Sequence, residues 1–446
     1  MRLGLLAMSG VRAHDPELTA LGLTLPGFVE RNRVIASLPS LGLLTLAGGT
    51  PESIDVEYAD VPDVLPDPWL PGEFDAVAIS SFSAQIKEAY ELADRYRAAG
   101  TKVILGGLHV TAVPAEAAAH ADAIVLGEGE PLWPRVVNDL QHGTLDHVYD
   151  ARGFAFNLAQ SPMPRYELLD IDKYNRLTVQ TQRGCPHNCE FCAGSIRIAP
   201  GFKVKPVTKV IDEIRRIKSI WPNPFIEFAD DNTFANKAHS HRLLRELIGM
   251  RVRWFTESDV SIADDRGLLS RMRDSGCAQV LIGFEAPTRR PLEGLERRSN
   301  WKAKRLDRYY EAIDTIQSFG ITVNGCFVLG LDGAGPESFE EVLQFVRSSG
   351  LYEVQVTVQT AFPGTPLYDR LQREGRILRE GAWERCTLFD VNFRPALMSV
   401  WDLEQGLRRL AQELYGGTAA LDRRRRFRGR LRQLRSRQTV ETETAP

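Results

Sequence analysis

The sequence predicts an α/β protein: a doubly wound parallel sheet, then a second series of strand–helix units, then a helical C-terminal segment. Three observations predict it. Short apolar runs alternate with amphipathic stretches over residues 1–145 and again over 176–370. Polar and glycine-rich residues gather where the expected strands end. Three of the six cysteines crowd into residues 185–192, at the start of the second series. Apolar strands alternating with helices indicate a parallel sheet covered on both faces. Such sheets bind ligands beyond the carboxyl ends of their strands.

In the first series, strands are expected over residues 3–7, 54–58, 75–80, 102–105 and 121–126. A helix is expected over 41–47, after Pro39, and another over 84–99, closed by Gly100. The third strand ends in Ser80-Ser81. The fourth runs into Gly106-Gly107-Leu108-His109 and the fifth into Gly127-Glu128-Gly129-Glu130. Residues 146–175 read as a linker, because Ser161-Pro162-Met163-Pro164 breaks any regular element.

In the second series, strands over 177–180, 225–229, 253–257, 279–283, 322–329 and 353–359 are expected to alternate with helices over 207–221, 239–250, 266–275, 302–319 and 339–348. Six units are fewer than a closed eight-stranded barrel needs. Helical periodicity continues from 370 to 415, within a C-terminal segment bounded at 371–420. Residues 421–446 read as a basic, disordered tail.

Between 423 and 438 stand nine arginines and no acid, so the net charge of −3 divides into +9 there and −12 elsewhere. Such a tail suits contact with an anionic membrane surface. Nucleic acid is not expected as a partner, and the tail is expected to be dispensable for chemistry. A composition of 43% hydrophobic and 25% charged residues is that of a soluble globular chain of two or three domains. No apolar run approaches the roughly 20 residues of a membrane span. The N-terminus reads as a strand and not as a cleaved signal. Six cysteines in 446 residues form no disulfide framework, and a cytoplasmic location is expected.

Cys185-Pro186-His187-Asn188-Cys189-Glu190-Phe191-Cys192 spaces its thiols C-x3-C-x2-C. Three thiolates this close can face one metal centre. Structural zinc takes four ligands, and no fourth Cys or second His stands at finger spacing. Iron–sulfur cubes normally take four thiolates, so three leave one iron open. With Phe191 before the last cysteine, the stretch resembles the radical S-adenosylmethionine (SAM) enzymes. The resemblance implies a [4Fe-4S] cluster on Cys185, Cys189 and Cys192 that chelates SAM and cleaves it to a 5′-deoxyadenosyl radical. It implies a partial (β/α)6 barrel whose strand-end loops hold SAM. On that basis Asp231 and Asn232 meet the SAM ammonium, and Glu257 and Glu285 meet its ribose and carboxylate. Gly330 lies beside adenine, and Phe191 and Phe362 complete the site.

The loops at Ser80, Gly106, Gly107, His109, Gly127 and Glu128 resemble those of the cobalamin-binding Rossmann-like domain that precedes many radical SAM domains. The D-x-H-x-x-G motif is absent, so cobalamin is expected to bind without a protein histidine on cobalt. The resemblance implies a cobalamin-dependent radical SAM enzyme that methylates an unactivated carbon of a small-molecule, lipid or tetrapyrrole substrate through methylcobalamin. An electron donor such as flavodoxin or ferredoxin is implied too. A cyclase, oxidase or ring-rearranging enzyme using the same cofactors is the alternative. A methylthiotransferase would carry three further cysteines in the first domain, and residues 1–184 hold none.

Overall fold

The computed structural model of the chain describes residues 1–10, 13–21, 38–66, 68–194, 197–199 and 201–443, with side chains described as far as Gln433. The first domain runs β1 (Arg2–Met8), α1 (Pro16–Leu21), α2 (Leu41–Gly48), β2 (Asp55–Val61), β3 (Ala76–Ser80), α3 (Ile86–Ala98), β4 (Lys102–Gly106), α4 (Leu108–Ala112), α5 (Pro114–Ala119), β5 (Ala123–Leu126), α6 (Trp133–His142) and β6 (Val148–Asp150). Its strands pair in parallel in the order β2-β1-β3-β4-β5-β6. Both faces are covered, which is why the inner strands β1, β3, β4 and β5 are apolar at nearly every position. Ile86, Leu92 and Tyr96 of α3 pack under Leu6, Val77 and Leu105 on one face. Leu43 and Ala47 of α2, with Trp133 and Val136 of α6, cover Leu3, Leu5 and Ala78 on the other. Strand order reverses between β1 and β3, so the ligand crevice of such a sheet opens at their carboxyl ends.

The second domain runs β7 (Leu177–Val179), β8 (Gln182–Arg183), β9 (Lys203–Val204), α7 (Val207–Ile220), β10 (Phe225–Phe228), α8 (Lys237–Ile248), β11 (Arg253–Ser258), α9 (Arg266–Asp274), β12 (Cys277–Glu285), α10 (Trp301–Arg305), α11 (Tyr309–Ser318), β13 (Thr322–Leu329), α12 (Ser338–Ser349) and β14 (Glu353–Val358). Six of these strands pair in parallel in the order β14-β13-β12-β11-β10-β7, with β7 and β14 at the edges. This is the expected partial barrel, open on one side. The two residues each of β8 and β9 pair antiparallel and close the base of the cysteine loop. Three helices follow: α13 (Pro366–Arg373), α14 (Val400–Tyr415) and α15 (Ala419–Glu443). A capping box between Ser399 and Asp402 starts α14, and its apolar stripe, Leu403, Leu407, Leu410 and Leu414, joins the barrel core. Among the described residues no helix is long and apolar enough to cross a membrane.

The structure corrects four expectations. Residues 146–175 are not a bare linker: they begin with β6, and Tyr166 is fully buried with its hydroxyl donating to Thr178 O at 2.9 Å. The helix expected over 302–319 tightens into a 3₁₀ turn at Leu306–Arg308, where Arg305 and Arg308 both reach Asp264. A 3₁₀ turn nearly preserves which face a residue occupies, so the apolar period does not show the break. Residues 374–399 carry no α-helix, although their apolar spacing looks helical; Phe389, Val391 and Phe393 are buried from an irregular chain. The arginine-rich stretch is helical and not disordered. Glu353, fully buried in β14, pairs with Arg423 at 3.1 Å and Arg424 at 2.9 Å, and Phe427 packs on Tyr352.

Candidate active site

The cysteine loop is clasped from three sides. Gly184 precedes it with φ +87°, and a Cβ there would run into Gly201 O. That conformation and that contact both require glycine. Glu296 accepts hydrogen bonds from the Asn188 and Arg298 amides and from both the amide and hydroxyl of Ser299. Burial alone would raise the Glu296 carboxyl, but these donors hold it down at about 2. Its clasp is therefore charged above the ordinary carboxylate range and weakens only as pH falls towards 2. Glu190 O accepts from Leu367 N at 3.1 Å, and the Glu190 side chain pairs with Arg370 at 2.6 Å. Those two bonds tie the loop to the start of α13, where Thr365 caps a helix with Pro366 in its first turn.

Cys185, Cys189 and Cys192 lie in one neighbourhood, near enough for a Cys192 thiolate to disfavour those of Cys185 and Cys189. Burial is the main cause that pushes Cys185 up to about 11 and Cys189 up to about 12. They become thiolates when a metal replaces the proton. Among the described residues no three His, Cys, Asp or Glu side chains draw together as the ligands of one ion. Phe191 is half-buried against the barrel core.

The three residues at the end of β10 divide their work. Asp230 is consumed internally. Its carboxylate accepts from Thr181 N, Thr181 Oγ1, Gln182 N and Thr233 Oγ1, and burial still pushes it up to about 6. Asn232 is equally committed, donating to Asp259 at 2.8 Å. Asp231 faces the cysteine loop: it accepts from Gly184 N at 3.1 Å and lies beside Gly194 and Cys192. Of the pair Asp231 and Asn232, the carboxylate is the one beside the cysteine loop, and a carboxylate suits an ammonium partner. Asp231→Ala is expected to weaken SAM binding by roughly 1.5–3 kcal/mol, measured by titration, while iron content stays normal. Unchanged affinity would refute the assignment.

Glu285 also lies near the thiols of Cys189 and Cys192. It is buried, pairs with Lys302 at 2.6 Å and holds φ +64°, a left-handed conformation for a residue with a side chain. Backbone held this way concentrates at functional sites. Burial disfavours the Lys302 ammonium, but Glu285 and the Cys189 sulfur outweigh it and keep it charged. Glu257 stands exposed at the barrel mouth, in a neighbourhood of carboxylates, Glu227, Asp231, Glu285 and Asp230, that disfavours its charged form. Asp259, two residues on, reaches His187 at 3.4 Å inside the cysteine loop, and His187 stacks on Trp301. Burial would raise Asp259, but His187, Ser261 and Asn232 hold it well below the usual range. The sequence reading missed His187, Asp259, Lys302 and Glu296. Adjacency to the cysteines marks His187, and position at a strand end marks Asp259; Lys302 and Glu296 carry no such signal.

Two of the expected residues have packing contacts of their own. A Cβ on Gly330 would meet Leu403 of α14 at 2.7 Å, so this glycine is needed for helix packing. Phe362 packs with the core of the first domain, and the adjoining Gly364 approaches Ala112 of α4. That loop is a seam between the domains.

Above the first sheet lies a cavity of about 290 Å³, lined by Ser80, Gly106, Gly107, Gly127 and Glu128 together with Leu41, Leu46 and Trp133. Gln180, Arg183, Lys205 and Ala229 close it from the barrel side. Glycines at 106, 107, 127 and 129 leave backbone as its floor, which lets a broad flat ligand lie close. These residues fit a corrin ring. His109 does not line the cavity. It is buried with Nδ1 3.0 Å from Ser83 Oγ, its ring against Trp383 and Nε2 towards Glu116. Burial pushes it down to about 4, so it stays neutral. Glu128 is taken up by Arg183 and Lys203 and is not offered to a ligand alone.

Comparison with known proteins agrees with this geometry. The Radical SAM superfamily model matches residues 179–346, the B12 binding domain model residues 33–137, and a domain of unknown function (DUF4070) residues 365–445. An uncharacterized methyltransferase, sll1242, of Synechocystis sp. is 30% identical over 86% of this chain and 72% of its own. The bacteriochlorophyllide d C-12(1)-methyltransferase of Chlorobaculum tepidum is 26% identical over 87% and 84%. The hopanoid C-2 methylase of Rhodopseudomonas palustris is 28% identical over 78% and 67%. The radical SAM methyltransferase TsrM of Kitasatospora setae, solved with cobalamin and a [4Fe-4S] cluster bound, shares the fold. It has a TM-score of 0.63 and 15% identity over 84% of this chain and 75% of that one. A radical SAM region preceded by a B12-binding region, in a chain 30% identical to a methyltransferase over 72% of that relative's length, belongs to the cobalamin-dependent radical SAM methyltransferases.

Proposed function

We propose that this enzyme methylates a carbon lacking a usable nucleophile on a large, mainly apolar ring system of the tetrapyrrole or hopanoid kind. The observation that carries this is the juxtaposition of the two sites. Gln180 and Ala229, at the ends of β7 and β10, close the cavity, and Asp231 at the cluster loop is two residues beyond Ala229. When bound, the cluster and SAM supply a hydrogen-abstracting radical, and cobalamin supplies the methyl group. The chain's own part is placement. Cys185, Cys189 and Cys192 would hold the cluster, with Asp231 on the SAM ammonium. Glu285, paired with Lys302, lies near the thiols, and the cavity floor would carry the corrin. The relatives that act on bacteriochlorophyllide and hopanoid support the substrate class.

A one-electron donor such as flavodoxin or ferredoxin would reduce the cluster, in the cytoplasm. The exposed Arg425 and Arg428 of α15 suit an anionic membrane surface, from which a lipid-like substrate would be drawn.

The test is one anaerobically reconstituted sample given SAM, cobalamin and either a tetrapyrrole or a hopanoid. Expected are bound cobalamin, 5′-deoxyadenosine and a singly methylated product that carries label from methyl-labelled SAM. His109→Ala should leave the spectrum of the bound cobalamin unchanged. 5′-Deoxyadenosine with an oxidised or cyclised but unmethylated product would instead establish the alternative chemistry. A chain that binds no cobalamin would overturn the proposal.

A further inference from the structure

An ionic network joins the cavity to the cluster loop. Arg183 Nη1 lies 2.7 Å from Glu128 Oε1, and Nη2 lies 2.7 Å from Glu130 Oε1. Gln180 Oε1 takes the remaining edge, 3.1 Å from Nε and 2.9 Å from Nη2. Lys203 holds the second oxygen of Glu128, and Lys205, on the cavity wall, pairs with Glu213 at 2.7 Å. Three cations thus meet three carboxylates. The side chains of Arg183, Glu128 and Glu130 are 12%, 1% and 9% exposed.

The carboxylates of this fork come from the first domain. Glu128 and Glu130 alternate with Gly127 and Gly129, so the loop that floors the cavity also grips the guanidinium. Arg183 comes from the barrel, one residue before Gly184. The Gly184 amide donates to Asp231 at 3.1 Å, and Cys185 follows directly. A ligand that settles on Gly127 and Gly129 orders the two carboxylates. They fix the guanidinium in a planar two-toothed grip that a lysine cannot reproduce. The next peptide unit carries that constraint to Asp231 and the first cluster cysteine. Burial would raise the Glu130 carboxyl, but Arg183 outweighs it, so the grip is charged.

We propose that Arg183 is a positioning residue that couples the two sites, so that each binds its cofactor more tightly when the other is filled. This rests on the reading of the cavity as a cobalamin site. The mere joining of two domains would place an ion pair anywhere on their seam. Here it stands between the cavity floor and the cluster loop, and it uses both carboxylate oxygens of Glu128 and all three guanidinium nitrogens of Arg183.

The test measures hydroxocobalamin affinity for the cluster-loaded and the cluster-free chain, in the absence of turnover. In the wild type the loaded chain is expected to bind at least about fivefold more tightly, the lower range of measured couplings. In Arg183→Met this ratio should fall to about one while iron content and circular dichroism stay normal. Arg183→Lys should keep only part of it. Should Arg183→Met not fold, the isosteric Glu128→Gln and Glu130→Gln carry the same comparison and should each reduce the ratio. A wild-type ratio of one, or the full ratio retained in Arg183→Met or in both glutamine variants, would overturn the coupling while leaving the cobalamin site intact. Absence of hydroxocobalamin binding to either wild-type form would overturn the cavity assignment itself.

Discussion

Replacing Cys185, Cys189 and Cys192 together with alanine is expected to abolish both iron binding and SAM cleavage. The reconstituted wild type should carry about four irons per chain, and the triple variant none. The remaining thiols cannot take over. Cys277 is packed in the barrel core with its sulfur towards Gln279 O, and Cys386 is buried beside Ala361 and Asn392. Cys326 lies within β13, where burial holds its thiol well above the usual range. The variant should still fold, because the loop's clasp uses Glu296, Glu190 and Arg370 and not the sulfurs. Circular dichroism would show this directly. Iron retained at the four-atom level in the triple variant would mean a second cluster and would refute the single-site reading.

Stopping the chain after Leu421 is expected to destabilise it by about 3–5 kcal/mol, whereas stopping after Gln433 should change stability little. The first cut removes Arg423 and Arg424 and leaves the fully buried Glu353 without those cationic partners. Removing one side of a buried pair costs several kcal/mol, because the other charge stays desolvated. It also removes Phe427 from Tyr352 and the Arg423 hydrogen bond to Leu414 O. Urea melts of the two truncations separate these outcomes. Replacing Glu353 by methionine in the shorter chain should restore part of the loss, since no charge is then buried alone. Equal melts for both truncations would show that the first arginines of α15 hold nothing in place.

How much was legible beforehand depended on how local the cause was. Apolar strands and amphipathic helices depend on neighbours within a few residues, so five of the six strands of the first sheet and all six of the barrel sheet could be read directly; the three-residue β6 was too short to show. The C-x3-C-x2-C trio was legible because its ligands are consecutive in the chain. The strand-end rule pointed to the loops after β10 and β12, and the resemblance to radical SAM enzymes singled out Asp231 and Glu285 within them. It could not rank Asp230, Asp231 and Asn232, whose hydrogen-bond partners come from β8 and the loop after β11.

By itself, then, the sequence determined the two-sheet architecture, the cysteine trio and the glycine-rich edge of the first sheet. Each rests on short-range pattern and on backbone freedom that only glycine supplies. The tertiary structure alone decided the pairings across long stretches of chain. Glu353 finds arginines some seventy residues on, and Arg183 finds Glu128 and Glu130 about fifty residues back. His109 turns to Ser83 and Trp383, away from the cavity. A charged or polar side chain looks the same in sequence whether it meets water, a cofactor or a buried counter-charge. Only packing, which sets the cost of leaving it unpaired, distinguishes them.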